Sequence, residues 1–207
     1  LTTGGIALTL GSLEPTFYPF ASLCCVFTEQ KCYNISKESE VNLMEIQITI
    51  KVKLNLANAE IASSFTNTME QYRLACNYVS EYIFNHDFDM KQSRLNKVLY
   101  TNLRSLFMLK SQMAQSVIRT VIARYKTVKT QMKRTPYKYQ DINTGEWYRE
   151  IRDLTWLQKP ITFNRPQVDL QRNRDWSYLS SGQLSINTLN GRVKVNPVCH
   201  GFDQYFD

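Results

Sequence analysis

Between Met44 and Asn85 the hydrophobic period of the chain changes once, and that change constrains the fold more than any other feature. Ile46, Ile48, Ile50, Val52 and Leu54 alternate with Gln47, Thr49, Lys51 and Lys53, a period of two that puts the branched side chains on one face of a strand. After Asn55 the period lengthens. Ile61, Phe65, Met69, Tyr72, Cys76, Val79 and Ile83 recur at steps of 4, 4, 3, 4, 3 and 4, the apolar stripe of a helix running to about Asn85. A strand with a cationic outer face, Lys51 and Lys53, therefore feeds a long amphipathic helix. With 43% hydrophobic and 21% charged residues and only 7 Gly and 6 Pro, collagen-like, low-complexity and wholly disordered readings are excluded. A chain of 207 residues is long enough for one or two domains with a buried core.

Two further helices are expected. The first runs from Ser93 or Arg94 to Phe107 on Leu95, Leu99, Leu103 and Leu106 or Phe107, and is followed by a break at Leu109 and Lys110. Ser111 then offers an N-cap for a helix reaching about Arg134. At 100° per residue, Met113, Val117, Val121, Tyr125, Val128 and Met132 share about a third of its circumference. Arg119, Lys126 and Lys133 gather opposite, flanked by Lys129 and Arg134. Glu and Asp are absent from Ser111 to Gln140, so the partners at i,i+4 that neutralise an ordinary solvated face are missing. This face is expected to meet phosphates. Cys76 lies in the core stripe and reads as a small buried hydrophobe rather than a reactive thiol. His86, Asp87 and Asp89 read as a polar helix exit rather than a metal cluster.

From Pro136 the helical period stops. Tyr137, Tyr139, Trp147, Tyr148, Trp156 and Phe163 appear among turn formers such as Asn143-Thr144-Gly145. Leu184 and Ile186, then Val193 and Val195, flank Asn190-Gly191, which predicts a hairpin with a type I′ turn. Arg192 and Lys194 alternate with the valines. The order of strand, helices and strands predicts an α+β fold in which a helical module is inserted into a small β-barrel. Aromatic residues interleaved with basic ones suit base stacking with phosphate contact, although aromatic residues in strands are more often core.

The first 43 residues differ from the rest. They carry Lys31 and Lys37 against Glu14, Glu29, Glu38 and Glu40, so more than the whole net charge of +7 lies downstream and favours a polyanionic partner there. They also hold Cys24, Cys25 and Cys32, leaving only Cys76 and Cys199 beyond. Five cysteines at such spacings make neither a disulfide framework nor a zinc knuckle, which points to a reducing cytoplasm. The stretch from Thr16 to Phe27 is too short and too interrupted by Pro19 to span a bilayer, and nothing basic precedes it as in a signal peptide. Two readings of this arm remain open. It is either an upstream extension of a protein starting at Met44, or a genuine arm with short strands around Gly5 to Leu10 and Phe17 to Phe27.

Several runs are similar to those of a known family. They are Ala75-Cys76-Asn77-Tyr78-Val79, Ser111-Gln112-Met113-Ala114-Gln115, Lys159-Pro160-Ile161-Thr162-Phe163 with Arg165-Pro166, Arg172-Asn173-Arg174-Asp175, and Leu189-Asn190-Gly191-Arg192-Val193-Lys194-Val195. In this order they resemble the N-terminal half of the TnpB (OrfB) proteins of insertion-sequence transposons, RNA-guided DNA nucleases related to the type V CRISPR effectors. Leu1 to Leu43 shows no counterpart. The resemblance implies a split wedge domain, an oligonucleotide-binding-type barrel made by a first strand at 44–55 and the remainder at 136–200, with a helical recognition module at 56–135 and the start of a truncated C-terminal region at 201–207. Guide RNA and target DNA are the implied partners. The residues expected to contact nucleic acid are Lys51, Lys53, Arg119, Lys126, Lys129, Lys133, Arg134, Arg165, Arg172, Arg174, Arg192 and Lys194.

Cleavage in that family belongs to a C-terminal RuvC-like domain and a CxxC…CxxC zinc insert, neither of which is recognisable here. Two-metal cleavage needs several carboxylates around a shared pair of ions, and Asp203 and Asp207 alone are too few. Asp169 and Asp175 sit among arginines and are expected to orient them. Cys199-His200 lacks a CxxC to complete a zinc site. The expectation is a nucleic-acid-binding fragment without catalytic residues, metal or cofactor, which a separate RuvC-bearing polypeptide would complete. A non-cleaving RNA-guided DNA-binding regulator and a basic protein-interaction domain are the alternatives. The 44–207 portion is expected to fold without the arm.

Overall fold

The period change at Asn55 is where strand gives way to helix. In the computed structural model, which describes residues 5–10, 23–33, 44–56 and 58–198, with side chains from Lys53 onward, strand β3 (Met44–Asn55) is followed by helix α1 (Ala59–Asn85). Asn58 caps that helix, its side-chain oxygen accepting from the Ile61 N–H at 2.8 Å, which satisfies one of the amide donors that the first turn leaves without a partner. Phe65, Met69, Tyr72, Cys76, Val79 and Ile83 are all buried, so the stripe is core. Helix α2 (Gln92–Leu106) buries Leu95, Leu99 and Leu103, while Leu106 stays exposed. Helix α3 (Ser111–Arg134) buries Met113, Val117, Val121 and Tyr125.

Ser111 does not cap α3. The N-cap position is Lys110, which makes no side-chain cap bond; its Nζ instead donates to Asn187 Oδ1 at 2.9 Å. The left-handed turn at Met108, with φ 54°, buries Leu109 and starts the helix one residue earlier than a serine cap would.

The strands form an antiparallel seven-stranded sheet in the order β6-β1-β2-β3-β9-β8-β7. Here β1 is Gly5–Leu10, β2 is Leu23–Tyr33, β6 is Gln167–Gln171, β7 is Trp176–Tyr178, β8 is Leu184–Thr188 and β9 is Gly191–Val198. Among the described residues, three helices and antiparallel sheets make the fold α+β. Among the described residues the sheet does not close into a barrel: β6 and β7 are its two ends, and only an isolated bridge joins Arg172, just past β6, to Trp176 of β7. Both strands of the N-terminal arm lie inside the order, β1 pairing with β6 and β2 with β3 from Leu23↔Leu54 to Tyr33↔Met44. The expected strand from Phe17 begins outside the described residues, and so do Cys199, His200, Asp203 and Asp207.

Two β features differ from expectation. Strands β4 (Tyr137–Gln140) and β5 (Trp147–Glu150) pair only with each other, as a separate two-stranded ribbon. The β8–β9 hairpin forms without a type I′ turn, because Asn190 stays out of the left-handed region and Gly191 alone enters it at φ 126°. The cause is tertiary. The Leu189 N–H donates to Thr68 Oγ1 of α1 at 3.1 Å, and Thr188 Oγ1 donates to the Gly191 carbonyl at 2.8 Å, so the turn is shaped by its anchor on the helix.

Candidate nucleic-acid interface

Helix α3 positions the site, and its two halves use their polar side chains differently. In the N-terminal half they turn inward. Ser116 is buried, and its Oγ lies 2.8 Å from Asp169 Oδ2 and 2.9 Å from the Asp169 carbonyl oxygen on β6. The Tyr72 hydroxyl of α1 sits 3.1 Å from Ser116 Oγ and 2.9 Å from Thr120 Oγ1. Burial, with Cys76 and the Asp169 carboxylate nearby, pushes Tyr72 well above the usual phenol range. Gln112 donates to Gln171 and accepts from Arg174 at 3.0 Å. Every partner here belongs to the protein, so this half fastens the helices to the sheet.

The C-terminal half faces out. Lys126, Lys133 and Arg134 are exposed, and Lys129 is half-buried within electrostatic reach of Asp153. The ion pairs among the described residues are Arg73–Glu70 and Arg94–Asp89, so none uses a cation of α3. The helix C-terminus itself favours positive charge, but Lys126 lies two turns from that end, where the effect has faded.

The structure divides the residues that the sequence grouped. Arg119 is half-buried and acts electrostatically on Asp175, so it belongs with the inward half and not with Lys126 and Lys133. Asp175 is 1% exposed, and its carboxylate accepts from the Gln171 N–H at 3.0 Å. Burial raises it above the usual carboxyl range, and the Asp169 charge adds to that; the Gln171 hydrogen bond and the charges of Arg119 and Arg192 oppose it. Arg192 donates to the Arg174 carbonyl at 2.7 Å and to Ser185 at 3.3 Å, and Arg172 stacks 5.8 Å over Trp176. Arg119, Arg172, Arg174 and Arg192 thus form one cluster beside β6 and β7. Lys53, Arg165 and Lys194 are exposed, Lys194 two residues along from Arg192 on the same face of β9, and the side chain of Lys51 lies outside the described residues.

Distant runs of the sequence meet one another. Asn77 pairs with both backbone groups of Phe163, accepting from its N–H at 2.7 Å and donating to its carbonyl at 3.2 Å. One turn on, Ser80 donates to the Ile161 carbonyl at 2.6 Å, and Arg73 reaches the Phe163 carbonyl at 3.1 Å. Three α1 side chains therefore bind the extended Lys159–Arg165 segment much as a neighbouring strand would. Cys76, one place before Asn77, is 0% exposed, and burial pushes its thiol far above the usual range. His86 stacks on Tyr82 at 3.8 Å, and Asp89 pairs with Arg94 at 2.6 Å.

Sequence reasoning named Trp147 among the aromatic residues of this segment but missed Lys138 and Arg149, which share the ribbon with it, exposed beside the end of α3. The readable signal was Tyr137-Lys138-Tyr139 and Trp147-Tyr148-Arg149, bases and rings alternating with a strand's period. Arg152 fastens this ribbon to the helix end, donating to the Thr135 carbonyl at 2.8 Å and to its hydroxyl at 2.7 Å. No family model, curated protein or solved structure matches the chain. No helix of the described residues is long and apolar enough to cross a membrane.

Proposed function

We propose that this chain binds nucleic acid, as the guide-RNA- and target-DNA-gripping portion of a TnpB-like protein, and does not itself cut. In this reading the seven-stranded sheet stands for the split wedge and α1–α3 for the recognition module. The observation that carries it is the outward half of α3, where Lys126, Lys133 and Arg134 stand exposed without an acidic partner and continue into Lys138 and Arg149 of the ribbon. A cationic surface without its own counterions gains most from a polyanion, by releasing the ions condensed on it. The proposal places the protein in the cytoplasm, without cofactor, working with a separate RuvC-bearing polypeptide.

Filter binding of a structured RNA and a DNA duplex across a salt series tests this. Affinity should fall steeply, by roughly a thousandfold or more between about 50 and 200 mM salt if six or more phosphates are contacted. Absence of salt-dependent binding to either probe would leave the basic protein-interaction reading in its place.

A further inference from the structure

The ribbon has two unlike faces. Its register sets Tyr137 opposite Glu150, Lys138 opposite Arg149, Tyr139 opposite Tyr148 and Gln140 opposite Trp147. Because side chains alternate across a strand, Tyr137, Tyr139, Tyr148 and Glu150 share one face, and Lys138, Gln140, Trp147 and Arg149 share the other. Every position on both strands is exposed. The tyrosine face is covered by its own rings: Tyr139 stacks on Tyr148 at 5.7 Å and on Tyr137 at 5.9 Å, and Tyr137 meets Trp156 at 5.7 Å.

The other face has no such cover. Trp147 is 69% exposed, and Lys138 and Arg149 stand directly opposite, an arrangement that destabilises an isolated antiparallel pair. The carboxylates of the ribbon do not relieve them, for Glu150 points to the tyrosine face, Glu146 accepts from the Tyr148 hydroxyl at 3.0 Å, and Asp141 accepts from the Asn143 N–H within the turn. The platform is also held in place. Hydrogen bonds between Asp141 and Glu146 and between Gly145 and Asp141, at 2.9 and 2.8 Å, close the turn, and Arg152 ties its base to α3.

We propose that this face is a stacking platform for unpaired nucleotides, with a base on the Trp147 indole and the flanking phosphates on Lys138 and Arg149. The proposal rests on the nucleic-acid reading above and deepens it. A duplex hides its base faces, so only an unpaired base can cover the indole. Lys138 lies diagonally across the ribbon from Trp147 and Arg149 lies two residues along the same strand, each about 5 to 8 Å away, which places both cations on one side of the indole within reach of the backbone of a nucleotide stacked on it. A protein partner would find on this face a single ring beside two cations and an amide, without the continuous apolar area that a protein contact needs.

The test is fluorescence anisotropy of the full chain with a labelled thymidine oligonucleotide, a uridine oligonucleotide, an abasic backbone of the same length and a hairpin duplex. Trp147→Ala should weaken thymidine or uridine binding by at least about fivefold, the loss expected from one stacked base, without changing the melting temperature or the affinity for the abasic and duplex probes. Trp147→Phe should restore most of the loss. Lys138→Gln with Arg149→Gln should weaken all single-stranded probes, the abasic one included. The thymidine and uridine arms tell which strand is preferred. Unchanged oligonucleotide binding by Trp147→Ala, or an equal loss on the abasic probe, overturns the platform while duplex binding keeps the parent reading intact. If the unaltered chain binds none of the probes, both fall together.

Discussion

The two halves of α3 come from one sequence pattern and end in opposite roles. Toward Ser111 the outer face meets β6, and Gln112, Ser116, Thr120 and Arg119 are engaged or half-covered there. Toward Arg134 only Lys129 is half-covered, near Asp153, and Lys126 and Lys133 stay in water. The difference teaches that a helical wheel separates apolar from polar sides but cannot tell a polar side that binds the rest of the protein from one that waits for a partner. What decides is whether a strand lies alongside.

The most severe way to break the comparison is to remove what holds that strand. β6 is paired with β1 along its length, and β2 pairs with β3, so a chain beginning at Met44 leaves two strand edges open. It should lose more than about 2 kcal/mol and tend to associate through those edges, read by denaturant unfolding and sedimentation. A loss under about 1 kcal/mol would return the arm to the reading in which Met44 begins the protein.

Next in size is Ser116→Val. It removes the donor to Asp169 and a partner of Tyr72 from a site 1% exposed. Tyr72 keeps Thr120 as its partner, so the loss of the Asp169 hydrogen bond should cost about 1 to 3 kcal/mol. The salt dependence of nucleic-acid binding by the folded protein should not move. A changed slope would mean that the inward half also touches nucleic acid.

Lys126→Gln with Lys133→Gln is the mirror experiment. Both side chains are exposed, so stability should change by less than about 0.5 kcal/mol. The slope of log affinity against log salt for duplex DNA should fall by about two, at roughly 0.9 for each phosphate that is no longer neutralised. An intact slope would make the outward half a solvated surface.

Legibility in the sequence followed the same division. The periods near Ile46 and Ile61 locate β3 and α1 because burial on one face is a local, repeating constraint. Turn type and capping were misread where a distant group intervenes, as Thr68 does at Leu189 and Asn187 at Lys110. The runs around Asn77 and Phe163 could be singled out in the sequence, but not that Asn77 and Ser80 grip the backbone at Phe163 and Ile161, across more than eighty residues of chain. Arg119 was grouped with Lys126 and Lys133 because spacing is all that a wheel contains. The basic and aromatic ribbon was visible as composition, yet its exposure depends on its leaving the main sheet, which no local pattern records.

The smallest effect concerns that misplaced arginine. Burial raises the Asp175 carboxyl above its unfolded value of about 3.9. The folded state therefore binds more protons than the unfolded state above that pH, and the contribution of Asp175 to stability is greatest below it and declines as pH rises through the folded value. Asp175→Asn should flatten this decline, because an amide oxygen can still accept from the Gln171 N–H without carrying charge. Arg119→Gln should deepen it, since the guanidinium charge opposes the rise. Glu70 and Asp153 are shifted the other way by their hydrogen bonds to Arg73 and Thr155 and lose stability as pH falls. The informative quantity is thus the difference between variant and parent in denaturant midpoint across the acid range. Opposite signs for Asp175→Asn and Arg119→Gln would place Arg119 in the inward half. An Arg119→Gln variant that matches the parent at every pH, yet lowers the salt slope as Lys126 and Lys133 do, would put it back on the outward face.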